Sequence, residues 1–249
     1  LLGLIRRYLE AGMMANGVVM ERREGTPQGG PLSPLLANVL LDEVDKELEK
    51  RGHAFVRYAD DCNVYVRSRR AGERVMGLLR RLYANLRLRV NEAKSAVDRP
   101  QNRKLLGYSF WSARGGEVKR RVAPKALTAM KDRVREITRR TRSQSIERVA
   151  QDLRSYLTGW KSYFRLADTP KIFRELDKWI RHRIRALHLK HWRHGPTIYR
   201  ELRARGLSEL GATRVASNRR RWWKNSAQLI HVAFPTRYFD QLGIPRLAE

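Results

Sequence analysis

The sequence predicts an α+β fold, in which residues 1–117 mix helices with short antiparallel strands and residues 118–249 are all helical. Two β-rich runs flank a tight turn near residue 60, and apolar residues recur at helical spacing over most of the remaining chain. A turn signal at residues 112–116, Ser-Ala-Arg-Gly-Gly, marks the predicted boundary between the two regions.

The first region is predicted to hold a helix, a hairpin, a second helix and a strand pair. Ser33 is the predicted N-cap of the first helix, with Pro34 in its first turn. These elements are placed at 35–50, at 54–59 with 62–67, at 73–88, and at 95–97 with 105–110. The apolar stripe of the first helix is Leu36, Val39, Leu40, Val44 and Leu48.

The second region is predicted to consist of helices at 124–140, 145–165, 170–191 and 196–205. Their apolar stripes are expected to pack in a core, while Arg and Lys occupy the opposite faces. The core-facing stripe predicted for the second of these helices is Ile146, Val149, Leu153, Tyr156, Trp160 and Tyr163.

The chain carries a large positive charge, with 53 Lys and Arg against 25 Asp and Glu. The excess is concentrated in residues 118–249, which hold 32 basic and 11 acidic residues. Because such an excess repels itself unless a polyanion screens it, nucleic acid is the predicted partner. A basic, well-solvated surface is the alternative, but it leaves an excess of this size unexplained.

Composition also limits the class of protein. Cys62 is the single cysteine, so no disulfide can form within the chain, which fits a reducing cytoplasm. No run of 18 apolar residues is present, so no membrane span is expected. Residues 1–12 lack the order of a signal peptide and resemble the middle of a helix, which predicts a chain truncated at its N-terminus.

The motif that indicates chemistry is the adjacent pair Asp60 and Asp61, predicted at the tip of the hairpin. Neighbouring carboxylates repel each other, and the apolar flanks are expected to desolvate them partly, so a compensating cation is predicted. Mg²⁺ suits such oxygen ligands, and a pair of these ions can activate a primer 3′-hydroxyl. An ordinary Asp-Asp turn is the alternative from these two residues alone.

The surrounding motifs resemble those of the group II intron reverse transcriptase family. Residues 58–61 (Tyr-Ala-Asp-Asp) look like its active-site box, and residues 25–30 (Gly-Thr-Pro-Gln-Gly-Gly) look like the preceding box. Residues 88–95, 105–108 and 153–164 are similar to the next box, the primer grip and the thumb and maturase core. The resemblance implies a partial reverse-transcriptase palm at 1–117, followed by an all-helical thumb and maturase region at 118–249.

The resemblance also implies roles for individual residues. Asp60 and Asp61 would be the catalytic metal ligands, and Leu106 with Gly107 the primer grip. The expected nucleotide or template contacts are Gln28, Gly29, Tyr58, Ala59 and Lys94. The expected RNA-binding residues are Arg154, Trp160, Lys161 and Tyr163.

The function implied is that of an RNA-directed DNA polymerase with maturase activity in the bacterial cytoplasm. Its expected cofactor is Mg²⁺, and its expected partners are group II intron RNA, an RNA template with a DNA primer, and dNTPs. A homodimer is left open. In the maturase role the basic helices would clamp intron RNA, while the RNA performs the splicing chemistry.

The sequence departs from this family in its carboxylates. Reverse transcriptases need a third carboxylate upstream of residues 25–30, yet residues 1–24 contain no Asp and the first Asp is Asp42. The fingers are also expected to be missing, so this 249-residue chain is predicted to polymerise poorly alone. No Cys-x-x-Cys pair is present, which predicts that the zinc-bearing nuclease of some members is absent.

Two other functions are weighed. A non-enzymatic RNA-binding maturase remnant fits the missing carboxylate, whereas the intact Tyr-Ala-Asp-Asp turn argues against it. A related bacterial reverse transcriptase of defence or diversity generation fits the palm motifs, but not the Gly-Trp-Lys-Ser-Tyr-Phe segment at 159–164.

Several residues outside these motifs have two interpretations. The histidines could form a zinc site, but their spacing and basic neighbours favour an RNA-facing or simply polar helix; they are His182, His188, His191 and His194. Trp222 and Trp223 follow three arginines, and either stacking on unpaired bases or packing in the core would explain them. Cys62 is interpreted as a small buried residue.

Overall fold

The computed structural model describes residues 2–11, 13–15, 18–20, 30–113, 115–139, 144–228 and 230–248. Its backbone packing divides the chain into two compact units, Leu1–Arg99 and Pro100–Glu249. Within the described residues, no helix is both long and apolar enough to cross a membrane. Gln28 and Gly29, both predicted nucleotide contacts, lie outside the described residues.

The first unit combines helices with two antiparallel hairpins, which agrees with the predicted mixture. Its elements are α1 (Leu2–Glu10), β1 (Met13–Ala15), β2 (Val18–Met20), α2 (Ser33–Lys50), β3 (Ala54–Tyr58), β4 (Asp61–Tyr65) and α3 (Arg69–Asn85). Strand β1 pairs with β2, and β3 pairs with β4. The core lies between α2 and α3, and it consists of Leu41, Val44, Leu48, Val75, Leu78 and Leu79.

Helix α2 differs from its prediction at its start and on its buried face. The N-cap position is Leu32, not Ser33, although Pro34 does lie in the first turn as predicted. Val39 and Leu40, both expected in the core, are 64% and 40% exposed. The predicted stripe was wrong there because the inner face is centred on Leu41, Val44 and Leu48, one turn apart.

The second unit opens with a small sheet. Its strands are β5 (Lys104–Leu105), β6 (Tyr108–Ser112) and β7 (Val118–Val122), in the spatial order β5-β6-β7. The predicted strand at 95–97 is wrong, because the partner of β6 on its other side is β7. Gly116 has a φ of 81°, and the chain reverses there before β7 begins. Residues 118–122 are therefore a strand in the region predicted to be all helical.

Helices form the rest of the second unit, and all four predicted ones are confirmed within a few residues. The helices are α4 (Pro124–Ile137), α5 (Ile146–Tyr163), α6 (Pro170–Trp192), α7 (Gly195–Ala204), α8 (Glu209–Ser217), α9 (Trp222–Gln228) and α10 (Thr236–Gln241). Apolar side chains from these helices and from β7 form one core. Its most completely buried members include Met130, Leu153, Leu157, Ile180, Ile184, Leu202 and Phe234.

Candidate active site

The Asp pair lies at the tip of the β3–β4 hairpin. Tyr58 is the cross-strand partner of Asp61, so Ala59 and Asp60 form a two-residue turn. Such short hairpin turns require positive φ, and Ala59 adopts it with φ 53°. Both carboxylates are exposed, so the partial desolvation expected for them is wrong. Because both side chains are exposed, water screens their mutual repulsion.

Alternate residues of the hairpin face opposite sides. Phe55, Cys62 and Val64 pack towards the α2–α3 core. Strand geometry places the side chains of Tyr58 and Asp61 on the other side, where Tyr58 is 62% exposed. A polar and aromatic surface beside the Asp pair is therefore open to a ligand.

A largely buried arginine, Arg57, connects the turn to α2, and it is absent from the residues predicted for the site. Arg57 Nε donates to the Asp45 carboxylate oxygens over 2.8 and 2.9 Å. Its Nη1 donates to Asn38 Oδ1 over 2.8 Å and to the carbonyl oxygen of Ala59 over 3.0 Å. Asn38 and Asp45 are seven residues apart on α2, a spacing that puts them on one face of a helix. In the sequence, this spacing together with an Arg close to the Asp pair is the signal that could have predicted the contact.

Burial affects two side chains under the hairpin. Desolvation, with the Asp45 carboxylate as a smaller second cause, raises the pKa of the Cys62 thiol to about 11. Desolvation likewise raises the pKa of Tyr83 to about 12. Cys62 is therefore a protonated thiol that packs against the core but is only partly buried, not fully buried as interpreted.

Lys94 lies in the first unit, in an exposed turn after α3. Its backbone N–H donates to the carbonyl oxygen of Asn91 over 3.0 Å and to the Asn91 side-chain oxygen over 3.2 Å. This is an Asx-type turn, which sets the local backbone from a side chain. Nearby, Arg80 binds Glu92 through two hydrogen bonds of 2.9 and 2.7 Å.

The predicted primer-grip segment is a tight turn in the second unit. Leu105 pairs with Tyr108, and Leu106 and Gly107 between them have φ of 50° and 75°. The expectation of a continuous strand there is wrong, because two successive residues of positive φ reverse the chain. A Cβ on Gly107 would lie 3.2 Å from the ring of Phe164 at the end of α5, so glycine permits this approach.

Two hydrogen bonds between tyrosine side chains and backbone carbonyl groups connect the Leu106–Gly107 turn to α5. Tyr163 donates its hydroxyl to the carbonyl oxygen of Leu106 over 3.1 Å, and Tyr108 donates to the carbonyl oxygen of Tyr163 over 2.5 Å. Tyr163 nevertheless stays 55% exposed, so its predicted place in the core is wrong. Its exposure follows from its position at the last residue of α5, beyond the buried part of the stripe.

Two protein-family models match this chain, one in each of its two regions. Residues 3–110 match the model of the reverse transcriptase (RNA-dependent DNA polymerase) family, and residues 127–206 match that of the group II intron maturase-specific domain. The two occur in one chain. This protein belongs to the group II intron reverse transcriptase/maturase family.

Curated relatives support the same assignment over shorter segments. The chain is 54% identical over 43 residues to the group II intron-encoded protein LtrA of Lactococcus lactis subsp. cremoris, a segment that is 17% of this chain and 7% of LtrA. It is 42% identical over 48 residues to protein YkfC of Escherichia coli strain K12, which is 19% of this chain and 13% of YkfC. The aligned parts are thus a small fraction of both relatives.

Reverse transcriptases use divalent metal ions, and the Asp pair of this family member supplies suitable oxygen ligands. Asp60 and Asp61 are adjacent and exposed, so both can reach a hydrated ion. Among the residues that the structure describes, however, no group of three or more His, Cys, Asp or Glu could hold a metal. The chemistry of the pair fits a divalent metal ion as part of a shared ligand set, completed by substrate phosphates or by a further carboxylate.

The four residues expected to bind RNA in the maturase region differ in their exposure to solvent. Arg154 and Tyr163 are exposed on α5, and Lys161 is half-buried. Trp160 is only 8% exposed, and its ring packs 4.7 Å from the ring of Phe164. It is therefore a core residue of the maturase fold and offers no free ring for stacking on RNA.

One α6 histidine of this maturase region, His188, differs from expectation. His188 is 6% exposed, its ring stacks on Phe234, and its Nε2 is hydrogen-bonded to the Tyr238 hydroxyl over 2.7 Å. The RNA-facing interpretation is wrong for His188, because α10 covers that face of α6. Burial lowers the pKa of His188 to about 3, so its ring is neutral at physiological pH. Within the described residues, no histidine belongs to a potential metal cluster.

Proposed function

We propose that this chain carries the polymerase active site of a group II intron RNA-directed DNA polymerase, with Asp60 and Asp61 as catalytic metal ligands. The observation that supports this proposal is the β3–β4 tip, where both carboxylates are exposed on a turn that Arg57 binds to α2. Because Arg57 fixes the turn, the two carboxylates are already positioned before a substrate binds, and binding does not have to order them.

The chemistry is nucleotidyl transfer. When bound, two Mg²⁺ ions would lower the pKa of the primer 3′-hydroxyl and neutralise the developing charge of the pyrophosphate. Asp60 and Asp61 would hold the ions, while Tyr58 and Ala59 border the sugar of the incoming dNTP. Gln28, Gly29 and Lys94 would contact nucleotide or template, and the Leu106–Gly107 turn would support the primer end.

This chain is proposed to polymerise poorly alone. Two carboxylates hold a metal pair weakly, and the described residues provide no cluster of three. Primer extension on an RNA template is expected to be near background with the chain alone, and to rise when a polypeptide carrying the upstream reverse-transcriptase half is added with Mg²⁺. Robust extension by the chain alone would refute this part of the proposal.

The maturase function is proposed to be RNA binding by the basic second unit, including Arg154, Lys161 and Tyr163. The net charge of +28 supports it, because phosphate neutralisation releases counterions. Affinity for group II intron RNA is expected to fall steeply with added salt. A homodimer is one proposed form of the RNA-binding protein. Affinity that is insensitive to salt would contradict an electrostatic clamp.

A second candidate is a non-enzymatic maturase that binds RNA without polymerising. The observation that favours it is the lack of a three-residue metal cluster among the described residues. Asp60→Ala distinguishes the two functions in the complemented protein. A polymerase loses primer extension and keeps RNA affinity, whereas the same substitution changes nothing measurable in a binding protein.

A further inference from the structure

We propose that a cleft of the second unit, which we call the Trp223 cleft, binds one unpaired nucleobase of a single-stranded nucleic acid. The cleft has a volume of about 230 Å³ and is lined by Thr138, Arg183, Ala186, Trp222 and Trp223. This site extends the proposed RNA binding, but it does not depend on the polymerase activity.

The indole of Trp223 is presented by its neighbours. It is 39% exposed, although large aromatic side chains are usually well covered. His182 lies against it with ring centroids 3.8 Å apart, and His182 Nε2 is 2.9 Å from the Trp223 carbonyl oxygen. Trp222 meets it edge to face, with centroids 5.7 Å apart and an interplanar angle of 73°. A fixed, exposed indole is a platform on which a base can stack at little entropic cost.

Arg183 gives the cleft a positive side. Its Nε donates to Thr138 Oγ1 over 2.6 Å, and its guanidinium lies 5.5 Å from the ring centroid of Trp179. These contacts orient the guanidinium at the wall of the cleft. Arg side chains in such positions bind phosphate or stack on bases, so the lining offers both contacts that a nucleotide needs.

The approach to the cleft is also cationic. Arg219, Arg220 and Arg221 form an exposed short helix directly before Trp222. None of the lining residues is acidic. The volume is below the roughly 300–1,000 Å³ of pockets for drug-sized ligands, so it suits one ring and not a larger molecule. An aromatic residue of a protein partner would fit the same space, but the surrounding arginines favour a polyanion.

Equilibrium binding of the full chain to eight-nucleotide probes tests this site. The probes are oligouridine, oligothymidine and a fully abasic deoxyribose oligomer of the same length and charge. Because stacking does not use the 2′-hydroxyl, we expect Trp223→Ala to weaken binding of the two base-bearing probes alike, by about five-fold or more. Binding of the abasic probe should not change, and Trp223→Phe should retain most of the affinity.

A matched variant separates stacking from charge. Arg220→Gln removes an exposed cation beside the cleft, so it should weaken binding of all three probes equally. If Trp223→Ala leaves every affinity unchanged, or weakens the abasic probe as much as the others, the nucleobase site is overturned and a protein side chain becomes the better occupant. If the unmodified chain binds none of the probes, the RNA-binding proposal itself fails.

Discussion

Arg57 and Asp45 form a bidentate ion pair between the β3–β4 hairpin and α2. The guanidinium Nε and Nη2 both donate to the carboxylate, and the side chains are only 12% and 20% exposed. Nη1 of the same guanidinium, which also binds Asn38, donates to the Ala59 carbonyl oxygen over 3.0 Å. The conformation of the Asp60 turn is therefore connected through Arg57 to a residue on α2.

Arg57→Lys should loosen this turn, because an ammonium cannot make the forked contact with Asp45 and still reach Ala59. Loss of net hydrogen bonding should lower local stability by about 1–3 kcal/mol. Hydrogen exchange of the β3–β4 amides should accelerate accordingly, and primer extension in the complemented protein should fall with it. Arg51→Lys is the control, since its pair with Glu47 is more exposed and lies at the C-terminal end of α2, not at the Asp60 turn. Equal exchange rates in both variants would contradict a positioning role for Arg57.

Ala59→Gly should increase the stability of the hairpin. A left-handed backbone conformation costs a residue with a Cβ about 1–2 kcal/mol, and glycine avoids this cost. The greater conformational freedom of glycine in the unfolded chain offsets part of the gain. We expect a net gain of up to about 1 kcal/mol, measured as slower exchange of the hairpin amides. Ala37→Gly, at an exposed position within α2, should instead destabilise by about 1 kcal/mol. A loss of stability in both variants would show that Ala59 is unstrained.

Two glycines of α3 should respond to alanine in opposite directions. A Cβ at Gly72 would clash with Val97 Cγ1, and the short valine side chain cannot relieve this contact without a shift of the backbone. Gly72→Ala is expected to cost about 1–3 kcal/mol by overpacking. At Gly77 a Cβ meets nothing within 4 Å, so Gly77→Ala should stabilise the helix by about 1 kcal/mol. Thermal unfolding of both variants measures this, and shifts of the same sign would contradict the packing.

Prediction from the sequence succeeded where the signal was local. The hairpin at 54–67 and helices α4 to α7 follow from β-rich runs and from apolar spacing, and the structure has them within a few residues. Strand β7 was missed because its sequence, Val-Lys-Arg-Arg-Val, resembles the exposed face of a basic helix. It is a strand because its backbone pairs with β6, and no local pattern in β7 encodes that partner.

The site was predictable as a motif but not as a packed arrangement. Asp60 and Asp61 are recognisable from neighbouring letters, whereas the Arg57 contacts to Asn38 and Asp45 join residues 19 and 12 positions apart. His188 shows the same limit, since its sequence neighbours are basic and polar. Its burial comes from Phe234 and Tyr238, about fifty positions later, and periodicity within α6 alone could not identify them.

The buried histidine should make the protein acid-sensitive. The pKa of His188 falls from its ordinary 6.5 to about 3 in the fold, with desolvation as the main cause and the Arg205 charge adding to it. Above pH 6.5 the ring is neutral whether the chain is folded or unfolded. Below pH 6.5, His188 becomes protonated in the unfolded chain but stays neutral in the folded chain. The free energy of unfolding therefore declines as the pH falls towards 3.

The expected loss from His188 is about 2 kcal/mol at pH 5, measured as the change in the free energy of unfolding between pH 7 and pH 5. His188→Gln removes the titrating ring and should flatten this dependence, even if it lowers stability at pH 7 by disturbing the contact with Tyr238. His194→Gln is the control, because it changes an exposed residue at the start of α7 and leaves His188 in place. Comparing variants cancels the general repulsion of a chain with net charge +28. If His188→Gln and the control lose stability equally on acidification, the buried ring is not the acid-sensitive group.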